Sequence, residues 1–486
     1  MKFDVPDEVR TAITTLKKAG FEAYLVGGCV RDLVLGRVSK DWDVATNAEP
    51  KKVQELFPDS VYENDFGTVG VKTESENPAL KIIEITTYRI EGKYSDKRHP
   101  DEIKFAKTIQ EDLSRRDFTI NAMAMDVDAP DTIIDPFGGE DDLSDQTVKT
   151  VGDPHERFRE DALRLMRAAR FATEFAFEIE PATRRAIVEL SGELEMISKE
   201  RVRDELMKML MTTRAADGIV LLEELNLLNY VLPELREGIG MGQNKHHIFT
   251  VFEHNVKSLE YAAKQSYSLT VRLASLLHDV GKSRTKQGDG PNSTFYNHER
   301  VGAKMVLRIL DRLHVAKDMI ESAAHLVRYH MFYYNVGEVS DAGVRRFLRR
   351  VGPESVDDLI KVREADRIGS GVPKALPYKL RHFLFMIDKV KHDPISPKML
   401  AINGDDLMAL GGIPPGPRIG AVLAILLEEV IEDPARNNKD YLAERAQKLL
   451  QLTDEQLQLL AKTARGKAEE FEFGIEKEMK DRHRVQ

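Results

Sequence analysis

Apolar positions recur at two different periods along this chain, and the switch between them divides it. Val9, Ile13, Leu16 and Ala19 repeat at helical spacing and predict an amphipathic helix over residues 6–20. An apolar strand then starts at Tyr24 and turns on Gly27-Gly28, and the chain passes Arg31 and Asp32 before reaching Asp41-Trp42-Asp43. Pro50 signals a short helix over 51–57. Thr68–Lys72 and the alternating KIIEITT of Lys81–Thr87 read as strands, as do Asn121–Asp126 and Thr132–Asp135 before the turn Pro136-Phe137-Gly138-Gly139. From Glu156 onward the texture is helical. ERFREDALRLMRAARFATEF places Ala162, Leu165, Ala169 and Ala172 on one stripe of a single helix. Helices continue over 181–230, with Ser198 as the cap of one over 200–210. Leu232–His247, rich in Pro, Gly and His, reads as a boundary. Late in the chain, two helices flank a Gly/Pro turn in ISPKMLAINGDDLMALGGIPPGPRIGAVLAILLEEVI, and a helical tail covers 440–467.

At 486 residues the chain exceeds what one core can hold, so two to four domains are expected. Apolar residues at 42% and charged ones at 31% suit a globular chain. Cys29 is the single cysteine, which excludes an internal disulfide and fits a reducing cytoplasm. No stretch has the length and polarity of a membrane span, and the first residues lack a signal-peptide core. The net charge of −10 excludes a generally basic coat, so any nucleic-acid contact must come from local patches.

Chemistry concentrates in two places. Side chains alternate along a strand, so Asp41 and Asp43 share a face while Trp42 points to the other. Two carboxylates so placed suit an oxygen-seeking cation such as Mg²⁺, and the Gly-Gly turn before them lets backbone N–H groups approach a triphosphate. Glu84 either completes that carboxylate set or lines the site; both readings stay open here. Arg115-Arg116 can neutralise phosphate oxygens. Asp161, Arg164, Arg167 and Arg170 recur every third residue as a polar ridge. A carboxylate there accepts from the exocyclic amine of C or A and a guanidinium donates to the ring acceptors, whereas U and G present a carbonyl in place of the amine. The second place is the ordered set His254, His278, Asp279, His298, His330 and Asp366, whose ligand types on several helices can gather one or two divalent ions. Arginines and lysines between 345 and 392 form a locally basic stretch and a candidate RNA track.

GGxVRD followed by DWDVATNA resembles the head domain of class II tRNA nucleotidyltransferases and bacterial poly(A) polymerases, in the DNA polymerase beta superfamily. The motifs RRDFT at 115–119 and EDALR at 160–164, and the H…HD…H…H…D order of HD phosphohydrolases, continue the resemblance. It implies an α+β nucleotidyltransferase head with a small mixed sheet at 1–150, then a helical neck at 151–235 with nucleotide-selecting and RNA-binding helices. An HD domain at 245–370 and a helical, tRNA-binding body and tail at 371–486 complete the implied architecture. Asp41 and Asp43 would be catalytic metal ligands for Mg²⁺, and Gly28, Arg31 and Arg116 would grip the triphosphate. Asp161 and Arg164 would read the base, with Arg167 and Arg170 supporting the nucleotide. The loop from Arg89 to Pro100 would switch nucleotide choice. His254, His278, Asp279 and Asp366, with His298 and His330 as further members, would hold a divalent transition metal. The implied activity is template-independent addition of C and A from CTP and ATP to tRNA 3′ ends. An A-adding enzyme, a poly(A) polymerase, and a metal phosphohydrolase with an RNA-docking head are the alternatives. No membrane or protein partner is indicated.

Overall fold

The computed structural model describes residues 3–62, 67–91, 103–129, 132–244 and 248–464. Most of the expected loop at 89–100 and the chain's last residues lie outside them. The chain divides into two compact units: Met1–Ile239 with Ala263–Leu269 and Arg308–Ala316, and Gly240–Ala262 with Thr270–Leu307 and Lys317–Gln486. The segment Arg308–Ala316 is bonded to the rest of the first unit, where Arg312 donates to Glu234 at 2.7 Å.

In the first unit α1 (Asp7–Lys18) carries acidic residues in its first turn and lysines in its last, the arrangement that complements the helix dipole. It buries Val9, Ala12, Ile13 and Leu16, each contributing roughly 1.5–3 kcal/mol if fully removed from water, alanine less. β1 (Ala23–Val26), α2 (Gly28–Val34), β2 (Asp43–Thr46), α3 (Pro50–Leu56), β3 (Ser60–Tyr62), β4 (Thr68–Lys72) and β5 (Ile82–Thr87) follow. After β6 (Arg89–Glu91), β7 (Ile103–Phe105) and α4 (Ile109–Ser114) come β8 (Ala124–Met125) and β9 (Ile133–Ile134). The main sheet runs β3-β4-β5-β2-β1-β8-β9 and is mixed: β2 and β5 are parallel, all other neighbours antiparallel. β2 is thus central. The β2–β5 register sets Asp43 directly beside Glu84.

Asn121, expected at the start of a strand, instead ends a 3-10 turn over Thr119–Asn121. Next come α5 (Gly139–Ser144), β10 (Thr147–Val148), α6 (Pro154–Glu160), α7 (Leu163–Phe175), β11 (Glu178–Ile179), α8 (Pro181–Leu190) and α9 (Lys199–Leu210). The single helix expected across 156–175 is therefore two. Asp161 leaves the helix with extended φ −144°, and its carboxylate accepts from the N–H of Leu163, the first residue of the next helix, at 3.0 Å. The apolar stripe itself holds: Ala162, Leu165, Ala169 and Ala172 are all buried. Ser198 stands at the N-cap of α9, but its hydroxyl makes no capping bond. Helices α10 (Ala215–Glu224), α11 (Leu228–Val231) and α12 (Pro233–Arg236) continue, the last within the expected connector.

The second unit is helical among its described residues: α13 (Val251–Lys264), α14 (Leu269–Leu277), α15 (Lys282–Thr285), α16 (His298–Arg312), α17 (Lys317–Tyr329), α18 (Asp341–Val351), α19 (Pro353–Gly369) and α20 (Tyr378–Val390), then α21 (Gly404–Gly411), α22 (Pro417–Glu432) and α23 (Lys439–Leu450). The last three pack around Leu407, Val422, Leu426, Leu442 and Leu449. No helix among the described residues is long and apolar enough to cross a membrane.

Candidate active site and metal centre

The strand–turn–helix at β1–α2 builds the first site. Gly27 adopts φ 76°, ψ −132°, a conformation open only to glycine. A Cβ there would stand 2.5 Å from Nη1 of Arg116 and 3.7 Å from Oδ2 of Asp43. The turn, the guanidinium and the carboxylate are therefore in one place. Trp42 is buried and Asp41 exposed in the segment leading into β2, which itself begins at Asp43 and shows no in–out alternation. Burial raises the Asp43 carboxyl above the ordinary carboxylate range; Arg116 opposes this and the nearby charge of Asp41 adds to it. Glu84 stands beside Asp43 in the β2–β5 register and the charge of Asp41 reaches Asp43, so the hard oxygens of these three carboxylates suit a divalent cation.

Arg115 and Arg116 follow α4, whose start is fixed by a capping box between Thr108 and Glu111. Both pair with the buried Asp112, at 2.7 and 3.4 Å. Burial alone would raise Asp112, but the two guanidinium groups hold its carboxyl below the usual range. Nε of Arg116 is buried without a hydrogen-bond partner. Arg31 is placed differently from a free phosphate grip. It is buried, donates to Asn121 at 2.6 Å and to Asp32 at 2.8 Å, and lies 4.6 Å over the ring of Phe175. Gly28 sits beside it, its Cβ position 3.6 Å from Nη2 of Arg31.

The ridge at 161–170 is resolved into separate pairs. Arg201 on α9 grips Asp161 in bidentate fashion, donating from Nη1 at 3.2 Å and Nη2 at 2.7 Å. Arg164 donates to Glu160, to the carbonyl of Arg157 at 3.0 Å and to that of Arg115 at 3.3 Å. Arg167 donates to Asp117 at 2.7 Å, and Arg170 to Glu205 and Glu174. Asp161 and Arg164 therefore do not pair with each other. After these bonds Asp161 keeps a lone pair on Oδ2, and Arg164 keeps Nε–H and one Nη2–H, counted among the described residues. Asp117 is buried, which would raise it, yet Arg167, Arg164 and Asn121 hold its carboxyl at about 2. The sequence reading missed Arg201 and Glu205; the signal was the acidic-basic alternation of KERVRDEL, three and four residues apart and matched to the ridge.

The second site gathers all six expected residues. Nε2 of His254 lies 3.1 Å from Oδ2 of Asp279 and 3.4 Å from Oδ1 of Asp366. His278 stands 3.4 and 3.6 Å from the same two carboxylates. His298 and His330 approach Oδ1 of Asp279 at 3.2 and 3.6 Å, without the angle of a hydrogen bond. Glycine makes this packing possible, because a Cβ at Gly281 would meet the carbonyl oxygen of His298 at 2.2 Å. His278, His298 and His330 each donate from Nδ1 to a backbone carbonyl, of Ser275, Phe295 and Val327. In the neutral form of each ring that bond leaves Nε2 as the lone-pair nitrogen aimed inward, the form a metal ligand takes. Burial would lower His278, but Asp279 and Asp366 push it up to about 10; burial lowers His330 to about 4. The centre thus draws positive charge, and its mixed nitrogen and oxygen donors fit a divalent transition metal. Lys282 reaches Asp279 at 2.6 Å and Gln243 at 2.7 Å.

Several cations of the basic stretch at 345–392 are held in ion pairs, partly with acids outside it. Arg345 pairs with Asp393, Arg346 with Glu428, Lys361 with Asp358, Arg363 with Asp366, and Lys389 with Asp341. These pairs interrupt the stretch as a continuous row of unpaired cations.

Family models match three segments: the poly A polymerase head domain at residues 23–149, the "probable RNA and SrmB- binding site of polymerase A" at 176–239, and the HD domain at 251–369. The CCA-adding enzyme of Enterococcus faecalis is 34% identical over 449 residues, covering 91% of this chain and 97% of that one. The chain belongs to the tRNA nucleotidyltransferase and poly(A) polymerase family, of the CCA-adding type. A second member, the A-adding tRNA nucleotidyltransferase of Deinococcus radiodurans, is 36% identical over 420 residues, 84% of this chain and 91% of that one. Among solved structures, the Bacillus stearothermophilus CCA-adding enzyme in complex with CTP aligns with a TM-score of 0.69 at 28% identity, over 91% of this chain and 98% of that one. The Thermotoga maritima CCA-adding enzyme complexed with tRNA shares the fold, with a TM-score of 0.55 at 22% identity over 92% of this chain and 97% of that one. The family's nucleotidyltransferase head, helical neck, HD domain and helical tail are the architecture seen here.

Proposed function

We propose that this chain adds C and A, from CTP and ATP, to the 3′ end of tRNA without a nucleic-acid template. The supporting observation is the convergence of Asp43, the Gly27 turn and Arg116 at one point, beside Glu84 and Asp41. Asp41 and Asp43 would hold Mg²⁺, with Glu84 positioned to assist. Bound there, the cation supplies activation of the 3′-hydroxyl and charge screening of the triphosphate. The backbone N–H of Gly27 already donates to the carbonyl of Met123 at 3.2 Å, so the N–H of Gly28 receives a phosphate oxygen, and Arg116 meets the triphosphate with its unsatisfied Nε–H. Arg31 acts through position, fixing α2 against Asn121 and Phe175.

Asp161 and Arg164 read the base, and Arg201 and Glu160 hold them in fixed orientations. The spare acceptor on Asp161 takes an exocyclic amine and the spare donors on Arg164 take a ring nitrogen and carbonyl. U and G would set carbonyl oxygen against carboxylate. An unpaired buried polar group costs about 1–3 kcal/mol, enough for useful discrimination. Arg167 and Arg170 tie α7 to Asp117 and Glu205, so that the base-reading turn is anchored to the head.

Residues 1–150 form the catalytic head in this reading, 151–235 the selecting neck, 245–370 the HD domain and 371–486 a body and tail. The HD centre, with a transition metal on His254, His278, Asp279 and Asp366, supplies a phosphohydrolase activity beside polymerisation. The test incubates purified protein with tRNA lacking one, two or three terminal nucleotides, offering CTP and ATP separately. Addition of C and then A supports the proposal. Addition of A alone assigns the chain to the narrower activity of its Deinococcus relative, and no addition overturns the reading.

A further inference from the structure

One helix face in the second unit departs from the self-neutralised pattern of its surroundings. On α20, Tyr378, His382 and Phe385 fall at helical spacing i, i+4 and i+7 and share a stripe. Tyr378 and Phe385 are 63% and 61% exposed, unusual for large aromatic side chains. Their rings each stand 6.0 Å from the imidazole of His382. His382 does not swing freely: its Nδ1 is 2.5 Å from the hydroxyl of the buried Tyr334, whose ring stacks on it at 29°. Behind the stripe, Phe383 packs against Phe332 and Phe347. The exposed rings therefore sit on a rigid aromatic base rather than on a loop.

Charge distinguishes what this face accepts. Arg381, one turn from Tyr378 and adjacent to His382, is exposed, as is Lys374 just before the helix. Among the described residues neither side chain makes a hydrogen bond or ion pair. Nearby acids are already occupied: Asp341 by Lys389 and Asp388 by Lys391. A row of ring faces interleaved with unpaired cations matches bases and phosphates presented together. An apolar protein partner would gain nothing from the cations.

Resting on the reading that the substrate is RNA, we propose that the Tyr378–His382–Phe385 face of α20 is a stacking platform for unpaired bases of the bound RNA, with Arg381 and Lys374 on its backbone. Rings stack on any base, so the platform contributes affinity without sequence preference.

The test uses the full-length protein. Tyr378→Ala combined with Phe385→Ala is measured by fluorescence anisotropy with labelled tRNA, by steady-state kinetics, and by light scattering for mass. Removing two stacking partners weakens tRNA affinity on the order of tenfold or more. KM for tRNA rises in parallel, while KM for CTP and kcat at saturating tRNA stay unchanged. Tyr378→Phe with Phe385→Trp restores affinity, and Tyr378→Leu with Phe385→Leu, equally apolar, does not. Unchanged tRNA binding by the double alanine variant overturns the proposal. So does leucine restoring binding, or a fall in mass to a smaller oligomer with unaltered RNA affinity, which would make the face a protein contact. Anisotropy reads RNA binding whether or not nucleotides are added, so failure of the polymerising function is seen separately.

Discussion

Replacing Gly27 by alanine is the sharpest probe of the first site, because the residue is constrained twice. Its backbone at φ 76°, ψ −132° lies where side chains are strained, at a cost of about 1–3 kcal/mol. The added Cβ would also stand 2.5 Å from Nη1 of Arg116. That atom is the tip of a long side chain, so the guanidinium moves while the sheet stays. Asp43, at 3.7 Å, is an ordinary contact and need not shift. Displacing Arg116 loosens its 3.4 Å pairing with Asp112 and removes the charge that opposes the rise of Asp43. Losing one charge-assisted contact to the triphosphate costs about 1.5–3 kcal/mol, or roughly 10- to 150-fold in nucleotide affinity. Thermal unfolding reads the strain, and KM for CTP and ATP reads the displacement. Arg116→Ala and the double variant complete a cycle. If Gly27→Ala acts by moving Arg116, the double variant has the KM of Arg116→Ala alone. Additive effects on KM, or wild-type KM and melting in Gly27→Ala, would refute the reasoning. Gly28→Ala is the control, since its Cβ meets only Nη2 of Arg31 at an ordinary 3.6 Å.

Arg201→Ala frees the Asp161 carboxylate, and the ratio of kcat/KM for CTP over UTP should fall roughly tenfold or more; an unchanged ratio would leave Arg201 a bystander. Asp117 is depressed to about 2, so its contribution, about 2 kcal/mol, is complete above pH 4 and lost as pH falls toward 2. Asp117→Asn should flatten the pH dependence of unfolding free energy in that window relative to the unaltered protein, and parallel curves would show the pair to be inert. Asp41→Ala should abolish nucleotide addition while Asp279→Ala leaves it intact; survival in the first and loss in the second would move the chemistry to the HD centre.

The sequence showed most clearly what depends on local pattern. Apolar Trp42 is buried beside exposed Asp41, although both precede β2, and the order of His and Asp residues marks a centre whose six members do converge. Glu84 needed the register of a parallel pairing made across three intervening elements, which no local period encodes. The pairing within the basic stretch was hidden for a related reason. A count of arginines from 345 onward cannot see Asp393 and Glu428, the distant acids that engage Arg345 and Arg346.

The helix break at Asp161 is where local pattern failed and where the failure has functional weight. Nothing in EDALR forbids a helix: alanine, leucine, arginine and glutamate all favour one. Within a continuous helix Asp161 would sit one turn from Arg164, and the two would neutralise each other as an i, i+3 pair. Leaving the helix separates them. Asp161 turns to Arg201 and Arg164 to Glu160, and each retains unused hydrogen-bonding capacity. A self-neutralised pair would have to be broken for every nucleotide read; two groups fixed by third parties do not. The propensity of the segment is overridden by Arg201 forty residues on, and that override replaces an ordinary helix-surface ion pair with the two separately held groups on which the proposed base reading rests.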